Sequence, residues 1–228
     1  MKQRYVIVLA VVFIVLLLDQ ALKIWVKSSL SYADSIPLIG DWFHLNYVEN
    51  QGMAFGATLG GGIWGKLVLS VFRMVAIGAI AYYIVTQIKQ KAKMEFLVVG
   101  ALVFAGALGN LIDSMFYDFF FEFDPCLNFN HLKGSGIWME CVYADYGFSE
   151  QVEVRNTGFL FGNVVDMFQF QVSWPSWVPW LGGDQVFPAI WNLADAAISV
   201  GVILVIIRNK VYFPKAAEEG ENSENKEE

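Results

Sequence analysis

Tyr5–Val26 reads YVIVLAVVFIVLLLDQALKIWV, with fourteen apolar residues unbroken from Tyr5 to Leu18 before Asp19 and Lys23 interrupt them. A bilayer core of about 30 Å takes about 20 apolar residues of helix, so the stretch is long enough to cross. Lys2 and Arg4 precede it as they would in a secretory signal peptide. No A-x-A cleavage pattern follows, and the run passes straight into Asp19-Gln20-Ala21-Leu22-Lys23. It reads as a retained anchor with an acid and a base one turn apart at its far end.

Working outward, Leu67–Ile88, Phe96–Phe116 and Val186–Ile207 are the other stretches fit to span. The composition agrees: 56% hydrophobic residues, 16% charged and a mean hydropathy of +0.48. Such a chain is neither disordered nor a nucleic-acid binder, and it is not an ordinary soluble globule. Of the net charge of −7, the tail Glu218–Glu228 contributes −5, with six Glu against one Lys. Acid without apolar residues reads as a solvated tail.

Basic residues set the orientation. Lys2 and Arg4 precede the first span, Lys89, Lys91 and Lys93 lie between the second and third, and Arg208, Lys210 and Lys215 follow the fourth. The segment 114–185 holds nine acids against Lys133 and Arg155 alone. The positive-inside rule places both termini in the cytoplasm and the segments 27–66 and 114–185 outside. The first outer segment, with Gly52, Gly56 and Gly60–Gly62, suggests short strands and turns. In the second, Gln151-Val152-Glu153-Val154 alternates like a strand, and Trp174, Trp177 and Trp180 look like an interfacial belt.

Ionisable residues within a membrane are costly and mark function by default. At 1.5 Å per residue, Asp19, Arg73, Asn110 and Asp195 all fall in one layer about 9 Å below the outer surface. Asp19 and Lys23 share a helix face, as do Asn110 and Asp113, and the same spacing places Asn192 and Asp195 on one stripe of the fourth span. Asp166 ends the outer segment in an apolar setting. Two carboxylates in a poorly hydrated site cannot easily both ionise, so one keeps a proton while the other accepts one from water. That is aspartic-protease chemistry. No HExxH, Walker or GxSxG pattern is present, and no cluster has metal-ligand spacing, so neither metal nor cofactor is expected.

The blocks Asp19–Lys23, Asn50-Gln51-Gly52-Met53-Ala54-Phe55-Gly56, Gly109-Asn110-Leu111-Ile112-Asp113, Val164-Val165-Asp166 and Asn192-Leu193-Ala194-Asp195 occur in the order seen in bacterial lipoprotein signal peptidases, which the chain resembles from residue 1 to about 210. The resemblance implies an intramembrane aspartic endopeptidase of the bacterial inner membrane. It would remove signal peptides from prolipoproteins by cutting before a diacylglyceryl-modified cysteine, amid membrane lipid, and be blocked by globomycin-type inhibitors. Asp166 and Asp195 fall on the catalytic pair. Asp19, Lys23, Asn50, Gly52, Asn110, Asp113 and Asn192 fall on positions that bind substrate or support the site. The implied architecture is an α-helical membrane protein with four transmembrane helices, a small periplasmic β-containing cap and an enlarged periplasmic insertion. An integral membrane domain then covers 1–213, with an acidic disordered cytoplasmic tail over 214–228.

Two departures from the family pattern stand out. Ser114 occupies a position where the family usually carries Arg, and 52 residues rather than a handful separate Asp113 from Asp166. Arg73 and Arg155 are candidates to replace the lost cation, and Arg155, within the insertion, is the one expected. Cys126 and Cys141 also lie in the insertion, where a disulfide and two free thiols both stay open. A proton- or ion-coupled transporter using Asp19, Asp195 and Arg73 is disfavoured, because the inner halves of the spans offer no polar path and no repeat is seen. A structural scaffold would leave the Asn50–Gly56 loop unexplained.

Overall fold

The computed structural model describes residues 1–32, 34–51 and 63–213. The glycine-rich part of the first outer segment, Gly52 included, and the tail 214–228 lie outside the described residues. Three helices are long and apolar enough to cross a membrane: α1 (Lys2–Ser29), α2 (Ile63–Lys89) and α3 (Met94–Phe120). A shorter apolar helix, α4 (Leu193–Ile207), packs against α3. The helices are inside-out in the manner of a membrane protein. On α1, Leu9, Phe13, Leu17 and Leu18 are exposed, whereas Asp19 and Lys23 are fully buried. Gly106 lets α4 approach α3 closely, since a Cβ there would sit 2.3 Å from the Ala194 carbonyl oxygen.

The fourth span is not the helix that its apolar run suggested. Val186–Asn192 is extended, and Leu193 is the first helical residue. Pro188 cannot propagate a helix backwards. Ile190 and Trp191 instead form strand β6 (Ile190–Trp191), and Asn192, with φ −124° and ψ 177°, is the N-cap. Asn192 and Asp195 are therefore not a stripe on one helix face but the two halves of a capping box. Asp195 sits in the first turn of α4 rather than two turns down. Fifteen residues give α4 a length of about 22 Å, short of the bilayer core by about 8 Å.

Outside the helices lies a four-stranded sheet of order β1-β2-β5-β6, with β1 (Ser35–Ile39), β2 (Phe43–Asn50) and β5 (Val164–Phe170) completing it. All its pairings are antiparallel, and β2 meets β5 with Val48 opposite Asp166 and Asn50 opposite Val164. Leu45, Tyr47, Val165 and Met167 from the sheet pack with Val26 of α1 and Tyr117 of α3, which seats the sheet on the helix ends. The expectation of strands holds for the described parts of both outer segments, whereas the glycines that suggested turns in the first lie outside the described residues.

The insertion carries a separate two-stranded ribbon, β3 (Ile137–Tyr143) paired with β4 (Phe148–Val154). Cys126 and Cys141 are joined in a disulfide, which closes the open question in favour of the bridge. Cys141, Val152 and Val154 are buried together, with Phe123, Cys126 and Tyr143 against them.

Candidate active site

The site is built where α1, α3, β5 and the start of α4 meet, and Lys23 is its electrostatic centre. Its ammonium reaches Asp113 Oδ2 at 2.8 Å, Asn110 Oδ1 at 2.9 Å and Asp19 Oδ2 at 3.0 Å, using all three of its hydrogens. Lys23, Asp19 and Asp113 are all fully buried. One cation between two carboxylates leaves a net negative centre, and each acid recovers hydrogen bonds elsewhere. Asp19 Oδ1 accepts the Ala194 N–H at 2.8 Å, tying α1 to the first turn of α4. Asp113 Oδ1 accepts from Gln20 Nε2 at 2.9 Å, and its Oδ2 accepts the Val165 N–H at 3.3 Å, tying α3 to β5.

From this base two asparagines reach the outermost acids. Asn110 turns its oxygen to Lys23 and donates from Nδ2 to Asp195 Oδ1 at 2.7 Å. Asn192 Nδ2 donates to Asp166 Oδ1 at 2.7 Å, to Asn110 Oδ1 at 3.1 Å and to the Val165 carbonyl at 3.2 Å. Asn50 Nδ2 lies 3.3 Å from Asp166 Oδ2. Asp166 and Asp195 thus each take an amide donor, from Asn192 and Asn110, and the two amides are joined by the Asn192 Nδ2 to Asn110 Oδ1 bond.

Their environments differ. Asp166 is buried, and burial with the nearby Asp195 charge pushes its carboxyl up to about 8. Asp195 is half-buried in the first turn of α4. The structure brings both acids into one hydrogen-bonded cluster with Asp19, Lys23, Asn50, Asn110, Asp113 and Asn192. Arg73, on α2, makes no ion pair among the described residues.

A second polar cluster supports the strand that carries Asp166, and most of it was not foreseen. Arg155 is buried and forks onto Asp118, with Nη2 2.8 Å from Oδ1 and Nη1 2.9 Å from Oδ2. It also donates to Asn130 Oδ1 and to the Phe161 carbonyl, both at 2.8 Å. Arg155 therefore does not neutralise the acids of the site. It braces the segment leading into β5, and the cations whose charges act on the site acids are Lys23 and Arg73. Asn163, just before β5, accepts from Lys66 Nζ at 2.8 Å and donates to Glu49 Oε2 at 3.2 Å. Glu49 is ion-paired with Lys27 and accepts from the Tyr47 hydroxyl at 2.6 Å. Below Asn163, a Cβ on Gly162 would meet the Asp113 carbonyl oxygen at 2.3 Å, so only glycine lets the strand entry lie on α3. The Ser114 carbonyl accepts the Gly162 N–H at 3.0 Å in the same place.

Comparisons with known proteins agree with one another. A family model described as signal peptidase (SPase) II matches residues 11–210. A lipoprotein signal peptidase of Porphyromonas gingivalis (strain ATCC 33277) is 35% identical over 207 residues, covering 88% of this chain and 81% of that protein. One of Amoebophilus asiaticus (strain 5a2) is 30% identical over 223 residues, covering 94% and 82%. A solved structure of a bacterial membrane enzyme at 2.3 Å resolution aligns with a TM-score of 0.54 and 23% identity, covering 92% of this chain and 93% of that one. That last likeness concerns the fold.

Proposed function

The chain belongs to the signal peptidase II family, and on that premise we propose that Asp166 and Asp195 are its catalytic pair. The protein is a multi-pass membrane aspartic peptidase with lipoprotein signal peptidase activity, removing signal peptides from prolipoproteins. The observation that supports the assignment of the pair is Asn192, whose side-chain amide donates to the Asp166 carboxylate and whose backbone N–H donates to the Asp195 carboxylate.

Asp195, ionised at the helix N-terminus, takes a proton from a water molecule as the hydroxide adds to the scissile carbonyl. Asp166, protonated at neutral pH, gives its proton to the carbonyl oxygen. When the tetrahedral diol collapses, Asp195 hands its proton to the departing amine nitrogen, and Asp166 recovers one from the diol. Asn192 and Asn110 hold the acids in place throughout, while Asp19, Lys23 and Asp113 form the buried base beneath them. Asn50, the last residue of β2, and Gly52 are assigned to binding the substrate backbone.

The bond cut is the one before a diacylglyceryl-modified cysteine. Each buried methylene of its acyl chains holds the substrate in the membrane by about 0.8 kcal/mol, so hydrolysis must occur at the membrane edge. The basic residues place both termini in the cytoplasm, with the site near the periplasmic face of the inner membrane and the insertion enlarging the periplasmic side. Globomycin-type cyclic peptides are the expected inhibitors. Purified protein in detergent, incubated with a diacylglyceryl-modified prolipoprotein, should produce a globomycin-sensitive mobility shift on a gel. Absence of cleavage by a folded preparation contradicts the reading.

A further inference from the structure

The two acids of the site sit at the base of a single ribbon. From Asp166 the chain runs out along β5, turns through Trp174–Gly183, and returns through β6 to Asn192 and Asp195. Beyond β5 the ribbon is held by Val186 N–H to the Val172 carbonyl at 2.8 Å and Trp174 N–H to the Asp184 carbonyl at 2.8 Å. Its tip is organised by its own hydrogen bonds, Val178 to Pro175 and Gly182 to Val178, each at 3.0 Å. It is a defined turn rather than a loose one.

That turn presents exposed aromatic surface that no other described residue covers. Trp177 is 80% exposed and Trp180 is 99% exposed, with Leu181 exposed beside them. Trp180 is held at φ +62°, the left-handed region that a bulky side chain rarely adopts. Strain at a residue without internal contacts points to something outside the chain. The dimensions of α4 say what that is. Measured from its basic inner end at Arg208, α4 rises only about 22 Å through a core of about 30 Å. The remaining rise falls on 186–192, whose residues VFPAIWN are apolar up to the cap and include exposed Val186 and Phe187. Seven extended residues span about 23 Å, more than the rise that remains, so the chain crosses the level where hydrocarbon gives way to headgroups within 186–192, beside the turn, and tryptophan prefers that boundary.

We infer that the Trp174–Leu181 turn is an anchor in the lipid headgroup region, where Trp177 and Trp180 fix the depth at which the ribbon carries Asp166 and Asp195. The inference uses the catalytic assignment only for its consequence; the anchoring itself is independent of it. A lipid-held substrate and a lipid-held ribbon then meet at one height, so the turn contributes to capture of substrate more than to the chemical step.

The full chain is reconstituted in phosphatidylcholine vesicles with or without brominated acyl chains, beside Trp177→Ser/Trp180→Ser. Brominated lipid should quench more than half of the fluorescence that wild type has in excess of the variant, and iodide in the aqueous phase should quench little of it. With prolipoprotein embedded in the same vesicles, the variant should show KM raised at least fivefold with kcat within twofold, and Trp177→Phe/Trp180→Phe should restore KM. Excess fluorescence quenched by iodide but not by brominated lipid would place the turn in water and overturn the anchor. Dissociation of a detergent-solubilised dimer in the Ser variant would assign the turn to a second copy instead, and an unchanged KM would overturn its role in setting depth. The quenching readout needs no cleavage, so failure of the anchor and failure of the catalytic assignment are separable.

Discussion

Asn192 and Asp195 cap one another: the Asn192 side-chain oxygen accepts the Asp195 N–H at 2.9 Å, and Asp195 Oδ2 accepts the Asn192 N–H at 3.3 Å. The motif that starts α4 is thus the motif that orients one acid, and the same Asn192 donates to the other at 2.7 Å. Structure and chemistry are separable here by choice of substitution. Asn192→Ala removes both the cap and the amide donor, costing about 1 kcal/mol of stability and at least tenfold in activity. Asn192→Ser keeps a cap oxygen and loses the donor. It should melt near wild type in detergent yet stay as inactive as Asn192→Ala, and full activity in Asn192→Ser would show that the bridge to Asp166 is dispensable.

Asp166→Asn and Asp195→Asn should each abolish cleavage while leaving abundance and insertion unchanged, since shape is kept and acid–base function lost. The raised Asp166 carboxyl adds a pH signature. Activity should fall on the alkaline side with an apparent pKa near 8, a value that belongs to the coupled pair. The native state binds this proton more tightly than the unfolded chain does. Its stabilising contribution is therefore complete below the unfolded carboxylate range near 4 and is lost as pH rises through about 8. Melting temperature followed from pH 5 to 9 should decline more steeply in wild type than in Asp166→Asn. Parallel curves would contradict a protonated Asp166.

Lys23 joins Asp19 and Asp113 where no water reaches them. Lys23→Met leaves two carboxylates without a cation and should cost about 3–5 kcal/mol. Lys23→Arg should not rescue it, because a planar fork cannot take the place of three converging ammonium bonds. Thermal unfolding in detergent is the measurement, and a Lys23→Arg protein as stable as wild type would show that the geometry of the cluster matters less than its charge.

The three long apolar helices and the polar pairs on α1 and α3 were legible because they rest on local patterns. Asp19 with Lys23 and Asn110 with Asp113 share faces through helix periodicity alone. The start of α4 was not legible, since VFPAIW is apolar in a strand as in a helix. Only its pairing with β5 decides, and Phe168 and Trp191 are distant in sequence. The brace around Asp166 was missed for the same reason. Lys66 and Asn163 lie 97 residues apart, Asp118 and Arg155 lie 37 apart, and no periodicity links such pairs.

The Cys126–Cys141 bridge ties β3 to a residue 15 positions earlier and lies in the apolar cluster of Val152 and Val154. Cys126→Ser/Cys141→Ser should retain cleavage, because no step uses a thiol. It should lose about 3 kcal/mol of stability in the insertion. Mild proteolysis should cut the β3–β4 segment sooner in the variant than in wild type while activity persists, and an inactive but folded double variant would show that the insertion acts in the reaction itself.

Arg155 pairs with the acid that lies one helical turn beyond Ser114. Asp118 lies one turn beyond Ser114 on α3, and Arg155 reaches it from the insertion with both Nη atoms. The cation absent from position 114 is thus present near it, supplied by a residue eleven positions before Asp166. Its remaining bonds hold Asn130 and the Phe161 carbonyl, which set the entry of β5. Arg155→Ala leaves the Asp118 carboxylate buried without its partner, so activity should drop at least tenfold through misplacement of Asp166. Two compensations follow. Asp118→Ala added to Arg155→Ala should recover part of the lost stability, because it removes the stranded charge. Ser114→Arg in the Arg155→Ala background puts a guanidinium at i,i+4 from Asp118 and should restore part of the activity. Arg73→Ala serves as the control on α2. If it is dead while Arg155→Ala cleaves like wild type, the insertion does not replace the missing cation, and the charge that matters comes from inside the membrane.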